Sequence, residues 1–168
     1  DEAGRHFIMH ADEIKLPGEH NIHNYLAAFA AVEGYVSDEV CRHVAMTFGG
    51  VEHRLEQVRV LRGVTYINDS IGTSPTRTLA GLRAMKTKPI VIAGGYDKKI
   101  PFDVLGDELC LRAKKLYLTG ATAEKIKAAV CASRYYAQSG LDVEIIDDFD
   151  DAVYTASKNA VEGDIVLL

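Results

Sequence analysis

Residues 68–75 form the loop of this sequence best suited to binding an anionic ligand. They read Asn-Asp-Ser-Ile-Gly-Thr-Ser-Pro, after a predicted strand and before a predicted helix. The hydroxyls, the backbone N–H groups and the helix dipole favour an anion there, and Asp69 at the strand tip could bond a ribose hydroxyl. A plain strand–turn–helix connection, with Ser74 as N-cap and Pro75 in the first turn, accounts for the same residue types. On residue types alone, we favour this plain connection.

Two further loops follow predicted strands. Residues 94–99 read Gly-Gly-Tyr-Asp-Lys-Lys, in which the glycines let a ligand or another backbone come close and the lysines could neutralise a carboxylate or phosphate. Taken alone, a solvated turn with surface lysines explains this loop better. Residues 119–122 read Thr-Gly-Ala-Thr, and we interpret them as structural, with Thr122 capping the next helix. Neither loop has the G-x-G-x-x-G spacing of a dinucleotide-binding fingerprint.

Strands and helices alternate from about Gly49 onward, and these elements must position the three loops. We predict strands at residues 58–61, 65–67, 89–93, 115–119, 143–146 and 165–168. We predict helices at residues 76–85, 102–113, 122–130 and 150–160. This alternation indicates an α/β fold, a Rossmann-like, mostly parallel sheet with helices on both faces. Because ligands collect at the C-terminal ends of the strands in such sheets, we expect the three loops to share one edge.

Residues 1–47 differ from the rest of the sequence in composition and in their pattern of predicted elements. They contain five of the six histidines, one short apolar run at residues 7–9, and helical patterns at residues 22–35 and 38–47, with Ser37 as N-cap of the second. One run and two helices make a poor independent core. We therefore predict a mainly helical tail of a domain whose sheet lies upstream. The apolar residues 165–168 at the other end lead us to expect a fragment.

Charge and hydropathy argue against two classes of partner. The 168 residues include 24 acidic and 19 basic side chains, a net charge of -5, which disfavours nucleic acid or an anionic membrane surface as the main partner. Apolar runs stay well below the ~20 residues of a membrane span. We expect neither a nucleic-acid nor a membrane partner.

The histidines and cysteines do not form a recognised metal motif. Cys41, Cys110 and Cys131 are widely spaced and contain no CxxC pair, which is typical of reduced thiols in a cytoplasmic protein. His20 and His23 lie three residues apart without a carboxylate or cysteine at zinc-like spacing. We therefore predict no metal site. The sequence also lacks a G-x-x-x-x-G-K-[ST] loop. If the chain binds ATP, we therefore expect the main phosphate-binding loop to lie outside this segment.

Four strings, in this order, resemble motifs of the Mur ligase family. Residues 18–32 (GEHNIHNYLAAFAAV) resemble the segment that closes the central ATPase domain, and residues 48–58 (FGGVEHRLEQV) resemble the junction into the C-terminal domain. Residues 66–78 (YINDSIGTSPTRT) are similar to the Asn-Asp-Ser loop of the D-glutamate-adding member. Residues 93–102 (AGGYDKKIPF) match the Gly-Gly-x-x-Lys loop of the same enzyme. The resemblance extends from about residue 14 to residue 168.

The resemblance implies a cytoplasmic, ATP-dependent ligase of peptidoglycan precursor synthesis. It would join D-glutamate to UDP-N-acetylmuramoyl-L-alanine through an acyl phosphate. Residues 1–47 would be the C-terminal tail of the central ATPase domain, and residues 48–168 the C-terminal domain, truncated before its end. ATP and Mg²⁺ are the implied cofactors, with metal ligands expected mainly outside this segment. The rest of the central domain and the N-terminal domain of the same enzyme would be partners of this chain.

The resemblance also implies roles for individual residues. The cofactor-binding residues, which face the adenine, phosphates or ribose of ATP, would be Asn21, Asn24, Arg54 and Asp69. The residues that hold D-glutamate and the acyl-phosphate end of the substrate would be Ser70, Thr73 and Lys98. Arg54 and Lys98 would be the catalytic cations, because a guanidinium suits phosphate and a lysine suits a carboxylate.

The first loop departs from the family pattern at one position. The family commonly has lysine where this chain has Ile71. The departure removes one cation from the expected glutamate pocket. Either Lys98, Lys99 or Arg77 compensates, or the local geometry differs.

Other functions stay open on these residues. A folylpolyglutamate synthase-like ligase would show a histidine shortly after the aspartate, which residues 68–75 lack. A non-catalytic, nucleotide-binding Rossmann-like module would bind a nucleotide unaided. A purely structural interaction domain is less attractive, because charged loops stand at three strand ends.

If the resemblance holds, the 168-residue chain alone shows negligible ligase turnover, because its sequence contains no P-loop to hold the ATP phosphates. Release of phosphate from ATP in the presence of both substrates measures this. Isothermal titration with ATP and D-glutamate tests the binding-module alternative. Detectable turnover by this chain alone would contradict the prediction.

Overall fold

The computed structural model describes residues 6–168. The chain divides between Gly50 and Val51 into two compact units, called here the first and the second unit. The first unit contains a 3-10 turn and two helices: Ala11–Glu13, α1 (Glu19–Ala31) and α2 (Asp38–Thr47). Its fully buried side chains are few: Asn21, Tyr25, Cys41 and Ala45.

Both predicted helices of the first unit are present, and α2 has the predicted bounds. Helix α1 lies earlier than the predicted residues 22–35. Gly18, with φ of 100°, precedes its first residue, and the chain turns after Ala31 through Gly34, with φ of 80°. Both angles lie in the left-handed region that glycine tolerates, so the two glycines bound the helix more tightly than the apolar pattern suggests. Ser37 is the N-cap of α2, but its hydroxyl makes no capping hydrogen bond.

The second unit is built on one six-stranded sheet. Its strands are β1 (Glu56–Leu61), β2 (Val64–Asn68), β3 (Ile90–Gly94), β4 (Lys115–Thr119), β5 (Asp142–Ile145) and β6 (Ile165–Leu167). The order across the sheet is β1-β2-β6-β3-β4-β5. Strands β1 and β2 form an antiparallel hairpin, and every other neighbouring pair is parallel. The predicted mostly parallel α/β sheet is confirmed.

Five helices connect the strands of the second unit. They are α3 (Pro75–Ala84), α4 (Asp103–Arg112), α5 (Ala123–Ala132), α6 (Tyr136–Ser139) and α7 (Phe149–Asn159). All but α6 were predicted, with ends that differ by one or two residues. Helix α6 is a single turn that ends at Gly140, with φ of 64°, and one turn is too short to show a helical period. The helices of residues 6–168 are all too short or too polar to span a bilayer.

The two faces of the sheet have separate apolar cores. Alternate strand residues point to opposite faces, so Leu116 and Leu118 of β4 belong to one core and Tyr117 to the other. Helices α3, α4 and α5 cover the first face, while α7 covers the second through Ala152 and Ala156. Helices on both faces were predicted, and the uneven division between the faces emerges only from the structure.

Helices α4 and α5 pack in very close contact at Gly106. A Cβ placed on this buried residue would lie 2.3 Å from the carbonyl oxygen of Ala129. One turn later, the Cys110 thiol lies 3.7 Å from the carbonyl oxygen of Val130. The two helices therefore form a closely packed pair, called here the α4–α5 block.

Glu108 of α4 joins that helix to α3 through Arg83, and it also pairs with Arg112 of its own helix. Its carboxylate pairs with Arg83 of α3 and with Arg112 one turn later on α4, where Nε lies 2.6 Å from Oε2. Hydrogen bonding to Arg83, opposed by partial burial and assisted by Arg112, lowers the pKa of Glu108. The carboxylate is thus better stabilised in the folded chain than in the unfolded chain.

Glu108→Gln should lower the stability of this chain at neutral pH and have little effect in acid. A lowered folded-state pKa contributes stability above the unfolded-state pKa of about 4.3, and this stability is lost as pH falls through the folded-state pKa. Urea midpoints of the wild type and the variant should differ at pH 7 and converge near pH 3. Glu52→Gln, which removes a carboxylate outside all ion pairs of residues 6–168, is the control. An unchanged difference at the two pH values would contradict the prediction.

Candidate functional site

A cleft of about 400 Å³ opens at the C-terminal ends of the parallel strands. All three polar loops contribute to its wall, as the sequence predicts. The polar lining residues include Asp69, Ser70, Thr73, Lys98, Thr119 and Thr122. Apolar side chains complete the lining, among them Val91, Phe102, Leu105, Ile126 and Phe149. The cleft therefore combines an apolar interior with a few polar groups, as small-molecule sites commonly do.

Asp69 is held at the tip of β2 by the residues around it. Its N–H donates to the carbonyl oxygen of Leu168 at 2.7 Å, and its Oδ1 accepts the N–H of Leu55 at 3.1 Å. On α3, a Cβ on Gly81 would lie 2.9 Å from Asp69 Oδ2, so the absent side chain of Gly81 makes room for the carboxylate. The position of Asp69 is thus fixed by tertiary contacts from both sides of the loop.

The rest of the first loop is tied to the first turn of α3. The Arg77 guanidinium donates to the carbonyl oxygen of Ile71 at 3.3 Å, and the Thr78 hydroxyl donates to that of Gly72 at 3.3 Å. Ser74 is the N-cap residue as predicted, but its hydroxyl bonds the Thr76 hydroxyl instead of capping the helix. Side chains of α3 therefore hold the loop carbonyls on the helix side.

The second and third loops meet backbone to backbone. A Cβ on Gly94 would lie 1.7 Å from the carbonyl oxygen of Thr119, which also accepts the N–H of Gly95 at 3.2 Å. The carbonyl oxygen of Gly95 accepts both the N–H of Thr122, at 3.2 Å, and its hydroxyl, at 3.3 Å. The paired glycines admit another backbone, one of the two uses predicted for them. Thr122 is the N-cap of α5, but its hydroxyl bonds this loop and does not cap the helix.

Asp97 anchors the second loop to α5. It pairs with Lys125, and its Oδ1 accepts the N–H of Lys99 at 2.8 Å. The bond to Lys125, followed by the bond from Lys99, lowers the pKa of Asp97. Of Lys98, Lys99 and Arg77, only Lys98 is among the residues of the cleft wall.

Arg54 lies beside the first loop but is not among the residues of the cleft wall. The neighbours of Arg54 are tied to the loop: His53 Nδ1 lies 2.9 Å from Asn68 Nδ2, and the His53 carbonyl accepts the N–H of Ile71. His53 and Leu55 have φ of 63° and 47°, left-handed values that cost about 1 kcal/mol or more for non-glycine residues. The Arg54 guanidinium is exposed, and it makes no hydrogen bond or ion pair within residues 6–168.

Asn21 and Asn24 belong to the first unit and stand at the start of α1. The buried Asn21 amide donates to the carbonyl oxygen of Pro17 at 2.7 Å, and the Asn24 amide donates to Asn21 Oδ1 at 3.3 Å. Asn21 therefore secures the helix start, while Asn24 is exposed. Within residues 6–168, histidine, cysteine and acidic side chains form no group of three that could hold a metal ion.

Sequence analysis did not identify several residues of the cleft wall. The threonines of residues 119–122 were interpreted as structural, and their hydroxyls do bond other backbone, yet both residues line the cleft. Tyr96 and Phe149 also line it. Phe149 follows β5 at the start of α7. Ligands collect at the C-terminal ends of parallel strands, so a search of the residues after every such strand would have identified Phe149 as a candidate.

The second unit matches the family model described as "Mur ligase, glutamate ligase domain" over residues 53–168. The chain belongs to the Mur ligase family. Its Mur ligase relatives include the UDP-N-acetylmuramoylalanine–D-glutamate ligases of Acetivibrio thermocellus, 48% identical over 163 residues, and Clostridium beijerinckii, 50% identical over 161 residues. These matches cover 96% of this chain and 35% of each relative, so the chain spans about a third of their length.

Solved structures of the Mur ligase fold are similar over most of the chain. Mycobacterium tuberculosis folylpolyglutamate synthase, complexed with ADP and AMPPCP, gives a TM-score of 0.66 at 18% identity and covers 92% of this chain and 38% of its own. A pseudomurein peptide ligase type C from Methanothermus fervidus gives a TM-score of 0.63 at 18% identity, covering 92% and 33%. At these identities the similarity shows the fold alone.

Gly94→Ala should destabilise this chain much more than Gly95→Ala. Both residues have positive φ, 148° and 115°, but nothing lies within 4 Å of a Cβ on Gly95, while the Thr119 backbone blocks one on Gly94. We expect a loss of about 1 kcal/mol for Gly95→Ala and about 3 kcal/mol or more for Gly94→Ala. Urea unfolding of both variants measures the difference. Equal losses would show that the backbones do not meet as described.

Proposed function

We propose that this chain is the C-terminal part of an ATP-dependent ligase that joins D-glutamate to UDP-N-acetylmuramoyl-L-alanine in the cytoplasm. The observation that carries the proposal is the gathering of Asp69, Ser70, Thr73 and Lys98 in one cleft wall. Relatives named for this reaction are 48% and 50% identical to the chain, and the matches cover nearly its whole length. This combination favours D-glutamate over the folate-linked substrate of the structurally similar folylpolyglutamate synthase.

The proposed glutamate site lies between the first and second loops. Lys98 supplies a positive charge, and Ser70 and Thr73 supply hydroxyls and loop backbone. D-glutamate carries two carboxylates, so a lysine with neighbouring hydroxyls matches one of them in charge and in hydrogen bonding. The apolar side chains of Phe102 and Leu105 line the same cleft.

Nucleotide contacts are proposed for each unit by itself. An exposed Arg54 guanidinium without a partner in residues 6–168 suits a phosphate, and Asp69 at the strand tip suits a ribose hydroxyl. We assign Asn24, held by Asn21, to the adenine. Residues 1–47 would then belong to the central ATPase domain and residues 48–168 to the C-terminal domain. The remaining domains would supply the phosphate cradle and most ligands of Mg²⁺.

The proposed role of this chain's residues is mainly to bind and orient the reactants. When bound, ATP with Mg²⁺ would supply the phosphoryl group that activates the substrate carboxylate as an acyl phosphate. Lys98 and the first loop would hold D-glutamate with its amine directed at that carbon, which makes the attack effectively unimolecular. The C–N bond would form as the bond from that carbon to the phosphate oxygen breaks, and inorganic phosphate would leave. Arg54 would neutralise charge that develops on the phosphate oxygens. D-glutamate specificity and charge neutralisation are thus the proposed contributions of this chain.

Lys98→Ala in the full-length ligase should lower kcat/KM for D-glutamate by about 10- to 100-fold, the effect of losing one charge-assisted hydrogen bond. The KM for ATP should change little, because Lys98 is assigned to the amino acid. Steady-state kinetics with each substrate varied in turn measure both values.

Lys99→Ala is the matched control, since Lys99 is adjacent in sequence but is not among the residues of the cleft wall. It should retain nearly wild-type kinetics. Equal effects of the two substitutions, or a Lys98→Ala effect confined to ATP, would contradict the assignment.

A further inference from the structure

One ion pair connects the second loop to the helix that follows the third loop. Asp97 Oδ2 pairs with Nζ of Lys125, which lies on α5. The other carboxylate oxygen, Oδ1, accepts the N–H of Lys99 at 2.8 Å. Both oxygens of this carboxylate are therefore engaged, one by a helix of the closely packed α4–α5 block and one by the loop's own backbone.

Lys98 lies between the two points at which the loop is held. Tyr96 and Lys98 line the cleft, while Asp97 between them is directed to α5. Lys99 has φ of 59°, a left-handed conformation that is unfavourable for a residue with a Cβ. The hydrogen bond from its N–H to Asp97 helps hold that conformation. The direction of the chain on both sides of Lys98 thus depends on one carboxylate.

The same pair determines which cation is available to a ligand. Lys125 is neutralised by Asp97, whereas Lys98 is exposed and belongs to none of the ion pairs within residues 6–168. Hydrogen bonding to Lys125 lowers the pKa of Asp97, which favours the ionised carboxylate that the pair requires. The cleft therefore presents Lys98 as a cation without a competing carboxylate partner.

We propose that Asp97 and Lys125 are positioning residues that fix the loop of residues 94–99 so that the Lys98 ammonium faces a carboxylate of the incoming acidic amino acid. This inference rests on the proposed function, because it needs an amino dicarboxylate in the cleft. Neither residue touches the substrate; both act through Lys98. Their loss should therefore weaken amino-acid binding and leave nucleotide binding unchanged.

The test compares Asp97→Asn, Lys125→Met and the double variant in the full-length ligase. The KM for D-glutamate should rise about three- to tenfold in each single variant, because a partly exposed pair is weak by itself but its loss displaces a binding group. The double variant should resemble the single variants, since the two residues act through one contact. The kcat and the KM values for ATP and the UDP-linked substrate should stay within about twofold of wild type.

Two controls separate positioning from general stability. Lys125→Arg keeps the ion pair and should restore a KM near wild type, and Lys127→Met removes a lysine of α5 that forms no ion pair within residues 6–168. Melting temperatures of all variants are measured in parallel. An unchanged KM for D-glutamate, parallel rises in all three KM values, or a defect that Lys125→Arg shares would overturn the inference. A wild-type enzyme that does not use D-glutamate would instead remove the proposed function, and this inference with it.

Discussion

The contact between the ends of β3 and β4 is the constraint on which the cleft depends. At Gly94 the two backbones come too close for any side chain, and hydrogen bonds from Gly95 and Thr122 continue the contact beyond the strands. The side chains of Thr119 and Thr122 are buried beside this contact, and their hydroxyls donate to the carbonyl oxygens of Asp147 and Gly95. Backbone and hydroxyl groups therefore hold the two loops together, while Lys98 lines the cleft.

Electrostatics at the cleft are local and do not follow the net charge. The chain carries a net charge of -5, yet the cleft wall includes the cation Lys98, which forms no ion pair within residues 6–168. Other cations are engaged nearby: Lys125 pairs with Asp97, and the Arg77 guanidinium donates to the Ile71 carbonyl. The loss of the family lysine at Ile71 therefore leaves a site with one exposed lysine, held by its neighbours in the loop. This arrangement suits a single carboxylate contact better than a diffuse positive surface.

The first loop shows how an exposed segment can be held firmly without burial. Asp69 bonds the Leu55 N–H and the Leu168 carbonyl oxygen, and α3 bonds the carbonyls of Ile71 and Gly72. The left-handed residues His53 and Leu55 on either side of Arg54 are held by the same contacts. Strained backbone of this kind persists only where its surroundings determine it, and here the strain flanks the arginine that we assign to the phosphates.

The sequence alone was sufficient for the order of strands and helices, the parallel sheet and the edge at which polar loops gather. The spacing of apolar residues and the turn residues are local properties of the sequence. The expectation that ligands collect at the C-terminal ends of parallel strands needs only the topology of the sheet. The motif strings also pointed to the Mur ligase family before any coordinates. The helical turn at residues 136–139 was less predictable, because one turn is too short to show a helical period. The hydrogen-bond partners of the N-cap hydroxyls were also less predictable, because a hydroxyl bonds whichever partner is nearest.

Only the tertiary structure decided which side chains of the three loops face the cleft. Residue type does not distinguish Lys98 from Lys99, and only the motif resemblance favours Lys98; the structure has Lys98 in the cleft wall and the backbone N–H of Lys99 bound to Asp97. Lys125 lies 28 positions after Asp97, and no periodicity links the two. Such pairs depend on how helices and loops pack around a common sheet, and packing is a property of distant residues brought together, which local sequence patterns do not encode.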